Sequence, residues 1–231
     1  MTLSARRINP PLKAILLTLL QIDDAAVAEI PMQGPLILAT NHINWLDALV
    51  GFSHLHPRPV TAFAKIETWD NFLLRMLFNA WEAIPITRGQ INFSAFKKAE
   101  EALARGKIVV IAPEGTRSHT GKMNQGYPGI VYLALKTGTP ILPFAFYGNE
   151  NFTKNLRHYQ RTKMNLRAGN PFRLVNPTTS LDRETRQQFT DAIMFEIASL
   201  LPEEYRGSYT VMDHSHRRYL EYVDLSELGR A

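Results

Sequence analysis

The sequence predicts an α/β fold, a single domain in which helices flank a largely parallel central sheet. Three observations carry this. Four times in the first half, an apolar or β-branched run ends directly in a polar residue: PLILAT (35–40) in Asn41 and His42, PVTAFA (59–64) in Lys65, AIPIT (83–87) in Arg88, and KIVVIAP (107–113) in Glu114. Helical spacing lies between these runs, most plainly over 93–105, where Phe96, Ala99 and Leu103 share a face and Gly106 stops the pattern. At 231 residues, 45% hydrophobic and 20% charged, the chain is long enough for one well-buried core and short for two. Strands alternating with helices argue for parallel pairing, and ligands of such sheets collect beyond the carboxyl ends of the strands. The polar residues that end the four runs are therefore expected along one edge.

Residues 1–30 read as an N-terminal segment. Arg6, Arg7 and Lys13 surround AILLTLL (14–20), but Pro10, Pro11, Asp23 and Asp24 argue against a secretory leader. A run of seven residues falls far below the roughly 20 that span a bilayer. Pro11 is expected to start a short helix over 11–22, either packed on the core or lying in a membrane interface. Within the main domain, 31–207, a helix is expected over 130–135 with Gly138 after it, and PILPFAFYG (140–148) as a buried strand. From 151 to 173 there are six Lys or Arg and no acid. That stretch reads as a solvated basic loop leading to a strand over 172–175, or as a surface for anionic lipid or cofactor. An amphipathic helix with Phe189, Ile193, Met194, Ile197, Leu200 and Leu201 on one face ends at Pro202. Residues 208–231 are expected to be a polar, loosely held tail.

The formal charge of +5 suggests an anionic partner: nucleic acid, a lipid headgroup or a phosphorylated metabolite. Aromatic residues are not interleaved with the basic ones as a nucleic-acid stacking platform requires, which argues against the first. No cysteine means no disulfide framework and no thiolate chemistry. The pairs His54/His56 and His214/His216 lack a third ligand nearby in sequence, so no metal is expected. GFSHL (51–55) lacks the closing glycine of a nucleophile elbow.

In NHINWLD (41–47), a fully helical path would point His42 and Asp47 about 140° apart, so contact requires a turn between strand and helix. Asn44 is a suitable N-cap for a helix through Leu46, Ala48, Leu49 and Phe52, with Asp47 in its first turn. From there the carboxylate could fix one imidazole nitrogen and leave the other as a base; an incidental neighbour pair is the alternative. APEGTRS (112–118) follows an apolar strand. Gly115 lets the backbone approach an anion, Thr116 supplies a hydroxyl, and Arg117 offers a planar fork suited to phosphate. The alternative is an ordinary polar loop.

In order and spacing, NHINWLD, AIPITRG, APEGTRS and TPILP resemble the four sequence blocks of the glycerolipid acyltransferase family, which includes 1-acylglycerol-3-phosphate acyltransferases. The resemblance covers about 35–143, with support from FAKIE (63–67). It implies the glycerolphosphate acyltransferase fold and transfer of an acyl group from a thioester, acyl-CoA or acyl-ACP, to a lysophospholipid hydroxyl, foremost that of 1-acylglycerol-3-phosphate. A different lysolipid acceptor, or a non-catalytic membrane-surface binding protein, is the alternative. The resemblance makes His42 and Asp47 the catalytic pair. It makes Lys65, Arg88, Glu114 and Arg117, with Gly115 and Thr116 of the same block, the substrate-binding set, and Pro143 part of the pocket wall. It implies no cofactor, a peripheral position on the cytoplasmic face of a membrane, and acyl carrier protein as a candidate partner. The helix over 11–22 and the basic stretch from Lys154 are expected to dock there jointly. Oxyanion donors are expected among amides near Asn41 or Gly115. The chain departs from the family at Asn44, often serine, and at Glu82, where glycine usually opens the second block.

Overall fold

The run LILAT, 36–40, is buried at all five positions because helices cover both sides of the sheet it belongs to. The computed structural model describes residues 2–87, 92–118, 120–175, 181–211 and 214–224. In chain order the elements are α1 (Leu3–Leu19), β1 (Leu20–Asp23), β2 (Leu36–Thr40), α2 (Leu46–His54), β3 (Val60–Lys65), α3 (Phe72–Ala80), β4 (Ile84–Ile86), α4 (Phe93–Ala104) and β5 (Ile108–Ile111). They continue with α5 (Gly129–Thr137), β6 (Ile141–Tyr147), α6 (Phe152–Arg157), β7 (Thr162–Ala168), β8 (Phe172–Leu174), α7 (Arg183–Ser199) and β9 (Leu220–Tyr222).

The sheet order is β1-β7-β6-β2-β5-β3-β4, with β8 on β6 and β9 on β8. β6, β2, β5, β3 and β4 are mutually parallel, as expected. β7 runs antiparallel to β6, and β1 is parallel to β7. Side chains alternate across the sheet and divide the core in two. Ile37, Ala39, Val109 and Ile141 pack with α4, α5 and α7, whereas Leu36, Leu38, Leu142 and Phe144 pack with α1, α2 and α3. Five parallel strands with both faces covered direct the carboxyl ends of β2, β3, β4 and β5 to one edge.

Three expectations are corrected. The N-terminal helix does not start at Pro11: it runs from Leu3 through both prolines, which are exposed, and ends at Leu19. Thr2 caps it by accepting from Ala5 N at 3.0 Å. Burial of Ala5 and Asn9 outweighs the local break signal. Asn9 donates to Phe52 O at 3.0 Å and accepts from Trp81 Nε1 at 2.8 Å, which pins α1 to the elements beneath it. Residues 20–23 leave the helix because they pair with β7. The basic stretch 151–173 is not a loop but contains α6 and β7; Thr162, Met164 and Leu166 alternate inward along β7. The tail is not loosely held where it is described. His216 Nε2 meets Glu196 Oε1 of α7 at 3.0 Å, both side chains buried, and β9 extends the sheet through β8.

Candidate active site

β2 delivers Asn41 and His42 to the carboxyl edge, and hydrogen bonds fix the turn that follows. Asn41 is buried and bonds Phe146 of β6 twice, Nδ2 to the carbonyl at 2.8 Å and Oδ1 from the amide at 2.9 Å. This doubled bond fastens the end of β2 to its neighbour. Asn44 Oδ1 accepts the Leu46 amide at 2.8 Å and so starts α2, although Trp45 rather than Asn44 directly precedes the helix. Asp47 lies in the first turn and is 4% exposed. Its Oδ2 receives the amides of Ile43 at 2.7 Å and Asn44 at 3.0 Å and contacts His42 Nδ1 at 2.8 Å. The turn therefore bends back on the carboxylate, bringing together two residues that a continuous helix would separate. Nδ1 is thus engaged, and the imidazole is partly exposed.

A second loop clamps His42 from behind. Glu114, 1% exposed, accepts the His42 amide through Oε1 at 3.2 Å and the amide and side chain of Asn124 through Oε2 at 2.8 and 3.0 Å. Ser118 N donates to the His42 carbonyl at 2.7 Å. Both polar groups of the His42 backbone are thus held by APEGTRS. Burial, the largest influence, pushes the Glu114 carboxyl above its ordinary value against the pull of its N–H donors. Glu114 was expected among the substrate-binding residues; its described partners are His42 and Asn124, which gives it a structural grip on the histidine.

Lys65 ends β3 at the same edge, exposed and paired with Glu67 at 3.2 Å. Arg117 is exposed three residues beyond Glu114. Gly115 has a φ of +65°, a left-handed backbone that favours glycine, and the Tyr127 ring lies 3.5 Å from where a Cβ would sit. Thr116 is half-buried in the same turn. Pro143 lies within β6, in register with Ala39 of β2. Arg88 lies outside the described residues. Glu82 adopts a φ of +53° and so takes the backbone conformation that suits glycine, with its carboxylate 2.5 Å from Lys107 Nζ. The amides of His42, Ile43, Asn44 and Gly115 donate to Glu114, Asp47, Asp47 and Ala112 respectively, so none of these four serves as an oxyanion donor in this arrangement. A cavity of about 230 Å³ opens at the far edge between Glu82, Lys98, Arg105 and Lys107 and reaches no residue of NHINWLD.

Sequence reasoning missed Asn124 and Asn149. The latter donates from Nδ2 to Asp47 Oδ1 at 2.8 Å and accepts Asn44 Nδ2 on its carbonyl at 2.8 Å. Its signal was present: PILPFAFYG is a fifth apolar run that ends in a polar group at this edge.

A parallel α/β sheet with a buried carboxylate against an imidazole at its carboxyl edge, and with exposed cations along that edge, is an arrangement able to move a proton beside an anion. The chain belongs to the acyltransferase family, whose model matches residues 22–147. It is similar to a 1-acyl-sn-glycerol-3-phosphate acyltransferase of Borreliella burgdorferi, 31% identical over 125 residues that make up 53% of this chain and 50% of that protein. It is also similar to a 1-acyl-sn-glycerol-3-phosphate acyltransferase of Chlamydomonas reinhardtii, 28% identical over 79% of this chain and 53% of that protein. The chain spans about half the length of these two relatives. Among solved structures, the crystal structure of the 1-acyl-sn-glycerophosphate (LPA) acyltransferase PlsC from Thermotoga maritima shares the fold. Its TM-score is 0.63 at 20% identity, over 85% of this chain and 78% of that one.

Proposed function

We propose that the protein transfers a fatty acyl group from an acyl thioester, carried by coenzyme A or acyl carrier protein, to the free hydroxyl of a lysophospholipid, foremost 1-acylglycerol-3-phosphate, giving phosphatidic acid. The observation that carries this reading is the 2.8 Å contact between His42 Nδ1 and Asp47 Oδ2, set on the edge where Lys65 and Arg117 stand. A hydroxyl is a poor nucleophile, so His42 Nε2 takes its proton as the oxygen attacks the thioester carbonyl. Asp47 holds the ring and stabilises the imidazolium. The tetrahedral intermediate collapses by breaking the carbon–sulfur bond, and the imidazolium returns the proton to the departing thiolate. Lys65, Arg88 and Arg117 grip the acceptor phosphate, turning an encounter into an oriented attack. No protein nucleophile and no cofactor is needed.

The work is done at the cytoplasmic face of a membrane, on its surface. Among the described residues no helix is long and apolar enough to cross one. The catalytic edge supplies other contacts. β1 pairs parallel with β7, and β7 begins beyond the end of β6, so the carboxyl end of α1 lies at that edge with Ile15 and Leu17 exposed. Arg161 donates from Nη2 to Leu17 O at 2.7 Å and Leu20 O at 2.5 Å, which joins the basic stretch to α1. The first turns of α3, which follow β3, expose Phe72, Leu73 and Met76. Lys154 and Arg157 of α6 add exposed positive charge suited to anionic lipid.

The test is product mass spectrometry with purified protein, a panel of lysolipids and acyl-CoA or acyl-ACP. Phosphatidic acid formation is expected, reduced about 10³-fold in His42→Ala. Preference for an acceptor without a terminal phosphate overturns the choice of acceptor, and a folded His42→Ala of full activity overturns the mechanism.

A further inference from the structure

We propose that Asn149 is a positioning residue of the acyl transfer, holding the outer oxygen of Asp47 so that the carboxylate presents only Oδ2 to His42; this rests on the acyltransferase reading of the site. Asn149 is fully buried. Its Nδ2 lies 2.8 Å from Asp47 Oδ1 and 3.3 Å from Asn44 Oδ1. Both neighbours can only accept, so the amide orientation is fixed: a flipped amide would set its oxygen against two oxygens.

The division of labour on the carboxylate is complete. Oδ2 serves the Ile43 amide, the Asn44 amide and the imidazole, and Oδ1 serves Asn149. Without the Asn149 donor, a buried carboxylate oxygen would have no described partner, and rotation of the carboxylate would relieve it at the expense of the His42 contact. A second pair of bonds works in the same direction. Asn44 Nδ2 donates to the Asn149 carbonyl at 2.8 Å, so β6 also grips the turn that carries Ile43 and Asn44.

Two further features separate this role from ordinary core packing. Asn149 Oδ1 is buried with no hydrogen-bond partner among the described residues, so the side chain bears an unmet acceptor on one atom while supplying Asp47 with the other. Gly148, immediately before it, has a φ of +93°, and a Cβ there would lie 3.1 Å from Lys163 O. The backbone that points Asn149 at Asp47 therefore depends on glycine. The dipeptide Gly148-Asn149 after β6 is thus a fifth functional strand end, 102 residues from the carboxylate that it serves.

The experiment compares wild type with Asn149→Ala and Asn149→Asp in the full chain. Steady-state acyl transfer to lysophosphatidic acid, its pH profile, thermal melting, and the far-downfield proton resonance of His42 Nδ1–H would be measured on the same samples. The aspartate matches the size of asparagine but offers no amide donor to Asp47. Both variants are expected to lose about 10- to 100-fold in kcat, the worth of one hydrogen bond to a buried charge, with KM for each substrate changed less than about 3-fold. The acid limb of kcat/KM and the downfield resonance are expected to be displaced. Wild-type kcat and an undisplaced resonance in Asn149→Asp would overturn the proposal. So would an activity loss that only follows the folded fraction. If wild type acylates no lysolipid, the functional reading fails instead, and the resonance alone still decides whether Asn149 positions the pair.

Discussion

Glu114 sets a carboxyl in a place where acids are seldom found. Three N–H donors converge on its two oxygens, which is why it can be buried at all. Burial nevertheless dominates and lifts its carboxyl above the ordinary value of 4.5. The fold therefore favours the protonated acid. Its contribution to stability is present below the ordinary value and is lost as the pH rises through the raised one. Glu114→Gln should abolish this dependence, so that denaturant midpoints fall less than in wild type as the pH rises above the ordinary carboxylate value. It should also lower kcat, because an amide offers one acceptor oxygen where His42 and Asn124 need two. Glu82 shows the opposite sign: a hydrogen bond from Lys107, its largest influence, lowers its carboxyl. That bond accompanies a left-handed backbone that a non-glycine residue adopts only at some strain.

At the scale of elements, the fold is held by ends that lie far apart in sequence. α1 is capped by Thr2, bridged to α2 and Trp81 through Asn9, and closed at its carboxyl end by Arg161, where a cation suits the helix dipole. The other terminus is tied just as firmly. Glu196 of α7 accepts His216 Nε2 at 3.0 Å and Tyr222 OH at 2.8 Å, and Phe172 of β8 pairs with Tyr222 of β9. A chain ended after Val211 would lose Leu220 and His216 from the core and leave the buried Glu196 without either partner. It is expected to be less stable by about 2–5 kcal/mol in chemical denaturation, a cost typical of removing a large buried side chain or one partner of a buried pair. An unchanged midpoint would mean that this segment contributes nothing.

For the molecule as a whole, the proposed chemistry and the proposed lipid contact share an edge. A parallel sheet gathers its strand ends on one side, and the chain places there the imidazole, the cations and the exposed apolar ends of α1 and α3. Binding to anionic vesicles should therefore respond to charge and to apolar area separately. Lys154→Ala with Arg157→Ala is expected to weaken binding by about 2 kcal/mol at low salt, about 1 for each cation near the surface, and by less as salt is raised. Phe72→Asp with Leu73→Asp should weaken it at any salt, measured by vesicle cosedimentation, with the melting temperature held because both side chains are exposed. Equal binding by all variants would place the lipid-facing surface elsewhere.

Much of this was legible in the residues. Strand–helix alternation determined the parallel α/β class, and runs ending in His42, Lys65 and Glu114 determined which polar residues would meet at one edge, because period and burial are local properties of a sequence. The same holds for Asp47, whose distance from His42 required a turn that Asn44 was suited to start. Tertiary structure decided what depends on partners far along the chain. It ran α1 through two prolines because α2 and Trp81 receive its buried face, drew a basic stretch into β7 and a polar tail into β9, turned Glu114 toward the backbone of His42, and set Asn149 against Asp47. None of these follows from spacing, since a hydrogen bond across a hundred residues is chosen by the packing of strands and not by the pattern within any one of them.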